Sequence, residues 1–150
     1  MPLNYGMKGQ LSAVDISPSV PSPSAHLDRA EAWSRMRGQS VGRLAVSVGG
    51  QPDIFPVNFL ALDHSILIRT GPGSKLESIG ANAFVAFEVD EIKTKKAWSV
   101  VVKGSAHRLT DDLEIVAAEQ SPLWTWMPRH ADVFITILPT TVTGRSFQRS

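Results

Sequence analysis

From Gly42 to Thr70 the chain alternates apolar and polar residues with a period of two, and this alternation limits the fold more than any other pattern. Three runs carry it: G-R-L-A-V-S-V, D-I-F-P-V-N-F-L-A-L and S-I-L-I-R-T. Gly49-Gly50 separates the first two runs and Asp63-His64 the last two, and such pairs are typical of tight turns. The region therefore predicts three antiparallel strands in a meander.

Later segments repeat the strand pattern and alternate with helices. Further strands are predicted at Ala83–Asp90, Ala97–Leu109 and Asp132–Leu138. Helices are predicted at Leu27–Arg37, from Ser74 onward, and from Asp111 to about Gln120. About six strands with helices between them predict a mainly β fold, an antiparallel β-barrel decorated by helices.

The first helix carries clear local signals. Asp28 and Glu31 have the spacing of a capping box, and Gly38 is placed to end the helix. Trp33 is predicted to lie in the core, because it belongs to an apolar stripe with helical spacing. The stripe consists of Leu27, Ala30, Trp33 and Met36.

Length and composition limit the number of domains. A chain of 150 residues with 43% hydrophobic residues has room for one domain with a substantial core. Residues 1–25 are rich in Pro and Ser and are predicted to form an extended arm without secondary structure, suited to drape over a partner subunit. Residues 26–150 are then the single folded domain.

Charge and residue usage disfavour several classes of function. The net charge is +1 and the basic residues are scattered, which disfavours a nucleic-acid partner. The absence of cysteine excludes disulfides and thiolate metal sites. No signal sequence and no membrane-spanning apolar run is visible, so we expect a soluble cytoplasmic protein without a membrane partner.

The stretch Ser65–Ser78 combines a strand, a Gly-Pro-Gly turn and a helix start. Free amides and the positive end of the helix dipole suit such a junction to an anion, and Arg69 and Lys75 add two cations. Ser74 and Glu77 also have capping-box spacing, which would satisfy the amides without any ligand. These residues alone leave a phosphate site and an ordinary helix cap both open.

Motifs for hydrolytic or metal chemistry are absent from the sequence. There is no G-x-S-x-G elbow and no H-E-x-x-H motif. The four histidines, His26, His64, His107 and His130, are far apart in the chain. A catalytic triad and a zinc site are therefore both disfavoured.

Other segments suit a planar, phosphorylated cofactor. Pro56 interrupts strand hydrogen bonding and exposes backbone groups, and Asn58 can donate to and accept from a heterocycle edge; a bulged edge strand is the plain alternative. Trp98 and Val100 share one face of their strand, while Ser99 and Lys103 share the other. Arg145 adds a cation near the C-terminus or belongs to a solvated tail.

Two tryptophans lie in an apolar segment at Ser121–Arg129. Trp124 and Trp126 need something to cover, and their own barrel, a ligand and a subunit interface all remain open.

The order of six motifs resembles that of the pyridoxamine 5′-phosphate oxidase-like family, the flavin-binding split barrels, in its small actinobacterial-type branch. The motifs are G-R-L-A-V (42–46), P-V-N-F (56–59), I-R-T-G-P-G-S-K-L (68–76), V-A-F-E-V-D (85–90), W-S-V-V-V-K-G (98–104) and V-T-G-R (142–145). The resemblance implies a six-stranded antiparallel split β-barrel and a homodimer with two cofactor sites at its interface.

The resemblance also implies roles for individual residues. Arg69, Ser74 and Lys75 would hold the phosphate of FMN, with Thr70 close by. The isoalloxazine would be lined by Pro56, Val57, Asn58 and Phe59. It would be covered by Trp98 and by Trp124 or Trp126 from the partner subunit, with a contribution from Arg145.

The expected function is that of an FMN-dependent oxidoreductase that transfers hydride between the flavin and an unidentified small-molecule substrate. Nothing near the C-terminus matches the pyridoxine-phosphate-binding residues of the true oxidases. The alternatives are a reductase that uses a deazaflavin coenzyme, and a non-catalytic flavin or haem carrier or sensor.

Overall fold

The structure, a computed structural model, describes residues 24–123 and 133–149. The strands in these ranges are β1 (Ser24–Leu27), β2 (Val41–Val48), β3 (Gln51–Ala61), β4 (Ile66–Thr70), β5 (Phe84–Ile92), β6 (Lys96–Arg108) and β7 (Val133–Gln148). The helices are α1 (Arg29–Arg37), α2 (Ser74–Ala81) and α3 (Asp112–Glu119). None of these helices is long and apolar enough to cross a membrane.

The strands form one antiparallel sheet that closes on itself. Their order is β1-β7-β4-β3-β2-β5-β6, and β6 also pairs with β7. Strand β7, 16 residues long, makes the closure because it pairs with β6 on one side and with β4 and then β1 on the other. The predicted fold class, a mainly β antiparallel split barrel with helices, is confirmed.

The predicted meander is also found. Gly49 and Gly50 connect β2 to β3 with φ values of 57° and 78°, the positive range that a two-residue hairpin turn requires. Alternate residues of β2, such as Leu44 and Val46, are buried, as the period of two predicts.

The barrel core is apolar and closed at its two ends by helices. Phe87 is fully buried, and its ring lies edge-on to Phe59 with a centroid distance of 5.0 Å. Helix α1 covers one end, where the Trp33 indole N–H donates to the carbonyl of Leu62 after β3. Helix α2 covers the other end, where it contributes Ile79 to the core.

The start of α1 differs from the prediction. The capping box is confirmed, since Asp28 Oδ1 accepts from the Glu31 amide at 2.8 Å and Glu31 Oε1 from the Asp28 amide at 3.3 Å. The helix nevertheless begins at Arg29, and Leu27 belongs to β1, where it lies opposite Gly144. Strand β1 also includes Ser24 and Ala25, which were predicted to belong to the arm; the rest of the predicted arm lies outside the described residues.

Strand β7 is longer than predicted. It runs past Leu138 and Pro139 to Gln148, because a register shift beside Gly104 of β6 absorbs the proline. An added Cβ at Gly104 would collide with the carbonyl oxygen of Leu138, so this close approach needs glycine. Arg145 therefore lies on a strand and not in a solvated tail.

Candidate functional site

Helix α2 starts without a side-chain cap. Its N-cap is Gly73, with φ of 151°, and no side chain hydrogen-bonds to the cap. The predicted capping box is wrong because Ser74 lies one residue inside the helix and Glu77 is then one position beyond its place in that motif. An uncapped helix start, at the positive end of the dipole, is the condition for binding an anion there.

Two polar side chains stand at this helix start. Ser74 is exposed and Lys75 is half-buried. The Lys75 ammonium lies 4.9 Å from the centroid of the Phe55 ring, a cation–π contact worth about 0.5–1 kcal/mol at such a site. This contact fixes the cation between α2 and strand β3.

Arg69 lies near the end of β4, the strand that precedes α2, and faces away from the barrel core. Ile68 packs in the core, whereas Leu67 packs in a second cluster outside it, so by alternation Arg69 shares the outer face with Leu67. Its guanidinium is 5.4 Å from the ring of Phe134, and Nη1 donates to the carbonyl of Leu123 at 2.9 Å. Arg69 is only 7% exposed, so its side chain is part of the packed structure as well as a source of positive charge.

Asn58 lies directly opposite Arg69 on β3 and is also buried on the outer face. Its neighbours Val57 and Phe59 have their side chains in the barrel core. Only the backbone of Val57 and Phe59 therefore remains to face a cofactor, and their place at the isoalloxazine stays a prediction. Thr70, at the end of β4, is buried as well.

Pro56 lies on an open edge of the sheet. Strand β3 pairs with β4 only over 58–61, whereas its pairing with β2 runs without a register shift over 51–58. Among the described strands, residues 51–57 thus have a neighbour on one side only. The edge-strand interpretation is confirmed and the bulge is not found. Backbone groups on this edge are available to a heterocycle.

Two predicted cofactor residues do not adjoin this site in one protomer. Trp98 faces inward, is 6% exposed and lies opposite Ser146, twelve residues along β7 from the Phe134 that neighbours Arg69. Arg145 lies opposite Ser99, on the outer face of β6. Trp124 and Trp126 lie outside the described residues.

A charged cluster on the outer face of β2 and β5 was missed by the sequence analysis. Arg43 Nη1 contacts Glu88 Oε1 at 3.3 Å and Asp90 Oδ1 at 3.2 Å. Burial, followed by the hydrogen bond and charge of Asp90, raises the pKa of Glu88 from 4.5 to about 7, although Arg43 opposes the rise. Two acids spaced two residues apart within the apolar strand V-A-F-E-V-D were the signal available in the sequence.

This cluster predicts a pH-dependent stability. The folded state holds the Glu88 proton more tightly than the unfolded chain, so its stabilisation is complete below pH 4.5 and is lost as the pH rises through about 7. The carboxyl is 31% exposed, and after allowance for solvent screening we expect a loss of about 1 kcal/mol, or roughly 2–4 °C in Tm.

Thermal melts between pH 5 and pH 8.5 measure this effect. Glu88→Gln should flatten the dependence of Tm on pH in this range. The control Glu77→Gln, at an exposed site, should retain it. Parallel curves for wild type and Glu88→Gln would show that Glu88 does not hold the proton.

Comparison with known proteins identifies the family. Residues 28–146 match the family model of pyridoxamine 5′-phosphate oxidase. The chain belongs to this family, as its motifs indicate.

Similar proteins occur in species of Corynebacterium and Mycobacterium. A Corynebacterium glutamicum protein carrying the same family name has a crystal structure with a TM-score of 0.81 and 39% identity, covering 87% of this chain and 98% of that one. The FAD binding protein from Mycobacterium smegmatis gives a TM-score of 0.69 and 32% identity, covering 82% and 97%. The uncharacterized protein Rv0080 of Mycobacterium tuberculosis is 33% identical over 135 residues, covering 85% and 88%.

Proposed function

We propose that this protein is a flavin-dependent oxidoreductase that holds FMN by its phosphate at the start of α2. The observation that carries the proposal is the uncapped helix start with Ser74 and Lys75 beside it. The similar Mycobacterium smegmatis protein is an FAD binding protein, which supports a flavin as the ligand. FMN and FAD share the phosphate next to the flavin, so this anchor suits both.

The residues present fit a phosphate group. Backbone amides of α2 and the Ser74 hydroxyl supply donors, and the Lys75 ammonium supplies a charge-assisted bond worth about 1.5–3 kcal/mol. Arg69 adds a second positive charge from the preceding strand, and its guanidinium is oriented by the hydrogen bond that Nη1 donates to the carbonyl of Leu123.

The flavin ring, when bound, supplies hydride transfer, and the protein positions it. The open edge of β3 at Pro56 offers backbone groups, and Asn58 offers an amide on the same outer face as Arg69. Phe55, which contacts Lys75, packs against the barrel core, on the opposite face of β3 from Asn58. One extended ligand would therefore have to pass over the open edge of β3 at Pro56 to meet both the phosphate anchor and Asn58.

Anaerobic reduction distinguishes an enzyme from a carrier. We expect NAD(P)H to bleach the visible absorbance of the bound flavin and an added small electrophile, such as a quinone, to restore it. Bound flavin that no reductant and acceptor pair can cycle would favour a carrier or sensor. Tight binding of a deazaflavin coenzyme together with weak FMN binding would show that the cofactor is a deazaflavin and not FMN.

The outer face of β2, β5 and β6 is proposed as a homodimer interface. It exposes two large apolar side chains of β5, Phe84 at 73% and Ile92 at 78%, and Ile54 on the adjacent strand β3 is 63% exposed. Apolar surface of this kind marks interaction sites. A second copy docked there would bring its own Ser99 and Arg145 towards a cofactor on this protomer.

Sedimentation at micromolar concentration tests the dimer. Val101→Lys places a cation on this face directly opposite Glu88, which should keep the protomer folded while shifting wild-type dimer to monomer. Thr110→Lys, at an exposed position after β6, is the matched control and should remain a dimer. A wild-type monomer would contradict the shared interface.

A further inference from the structure

A second cleft opens at the barrel end covered by α1. Its volume is about 490 Å³, within the range of small-molecule sites. It lies between α1, the β5–β6 hairpin and the last residues of β7, whereas Ser74 and Lys75 lie at the end closed by α2. It is therefore separate from the proposed flavin anchor within one protomer.

The wall of this cleft includes a fixed aromatic ring. Trp98 donates its indole N–H to Glu91 Oε1 at 3.3 Å, and the Arg35 guanidinium lies 6.0 Å from its ring centroid. Phe147, 40% exposed, adds a second aromatic side chain to the lining. A ligand in the cleft thus meets apolar surface whose orientation is set before it binds.

The charge of the lining is unbalanced. Among the described residues that line it, Arg35, Lys93 and Lys96 are the cations and Glu91 is the one acid. Glu91 already accepts from Trp98 and lies 3.8 Å from the Lys93 ammonium. Within the described residues, no carboxylate lies within 4.0 Å of the side-chain nitrogens of Arg35 or Lys96. Two cations without acidic partners beside apolar surface fit an anion that carries an apolar group.

We propose that this cleft binds a small organic anion, a carboxylate or phosphate attached to an aromatic or other apolar group. Arg35 and Lys96 hold the anionic group, and Trp98 and Phe147 contact the apolar part. The proposal does not depend on the flavin assignment.

Calorimetric titration of the full chain with four related probes tests it. Benzoate and phenyl phosphate carry both the ring and the charge, phenol lacks the charge, and inorganic phosphate lacks the ring. We expect at least one of the first two to bind at least tenfold more tightly than phenol and inorganic phosphate. Their relative affinities decide between carboxylate and phosphate.

Variants locate the binding. Arg35→Gln and Lys96→Gln should each weaken the better probe about fivefold or more, while Lys103→Gln, on the same strand as Lys96 but outside the cleft, should not. Equal affinity for phenol and the anions, or no effect of either variant, would overturn the proposal. Loss of probe binding on FMN saturation would also overturn it, because the cleft would then belong to the flavin site. If the protein binds the probe but binds no flavin, the anion site in the cleft stands and the flavin site at α2 fails, so the two proposals can be distinguished.

Discussion

Replacing Lys75 by glutamate is expected to weaken FMN binding at least about a hundredfold, or roughly 2.7 kcal/mol. The substitution removes a charge-assisted bond and places a negative charge beside the phosphate. It should change stability little, because Lys75 is half-buried and its ring contact with Phe55 is worth only about 0.5–1 kcal/mol.

Fluorescence titration with FMN measures the loss. Lys95→Glu is the control, since Lys95 is an exposed lysine in the turn between β5 and β6. Arg69 is a poorer choice for this test: its burial and its bond to Leu123 mean that Arg69→Ala should also destabilise the fold. Unchanged FMN affinity in folded Lys75→Glu would remove the phosphate site from α2.

Gly104→Ala is expected to be the most destabilising small substitution in the barrel. Its Cβ would meet the backbone carbonyl of Leu138, which cannot move aside as a flexible side chain can. Overpacking against backbone costs about 3 kcal/mol or more, which corresponds to a fall in Tm of roughly 6–12 °C for a chain of this size.

Gly80→Ala provides the matched control. Gly80 lies in α2, and an added Cβ would meet nothing within 4 Å. Alanine favours the helix over glycine, so this variant should gain about 0.5–1 kcal/mol. Equal melting temperatures for the two variants would show that the close approach of β6 and β7 is relaxed in solution.

Local patterns predicted those parts of the fold that neighbouring residues determine. The hairpin at Gly49-Gly50 and the capping box of Asp28 and Glu31 were found as predicted, because turn chemistry and cap spacing act within four residues. The combined order of motifs identified the family, which no single motif could do.

Tertiary context decided what the sequence did not reveal. Ser74 has the spacing of a cap, but Gly73 ends the preceding turn with a φ of 151° and takes the N-cap position. A proline such as Pro139 is expected to end a strand, but a register shift on the neighbouring strand β6 allows β7 to continue past it. The inward face of Trp98 and the cluster at Arg43 depend on which strands are neighbours, and alternation alone does not specify that.

A direct comparison of FMN with riboflavin tests the phosphate anchor at α2, because the two ligands differ only in the phosphate. Wild-type protein should bind FMN at least about tenfold more tightly than riboflavin, and a Ser74→Ala/Lys75→Gln variant should lose most of this difference, with the backbone amides of α2 and the charge of Arg69 accounting for what remains. Equal affinities in the wild-type protein, or binding of neither ligand, would contradict a flavin held by its phosphate at this helix.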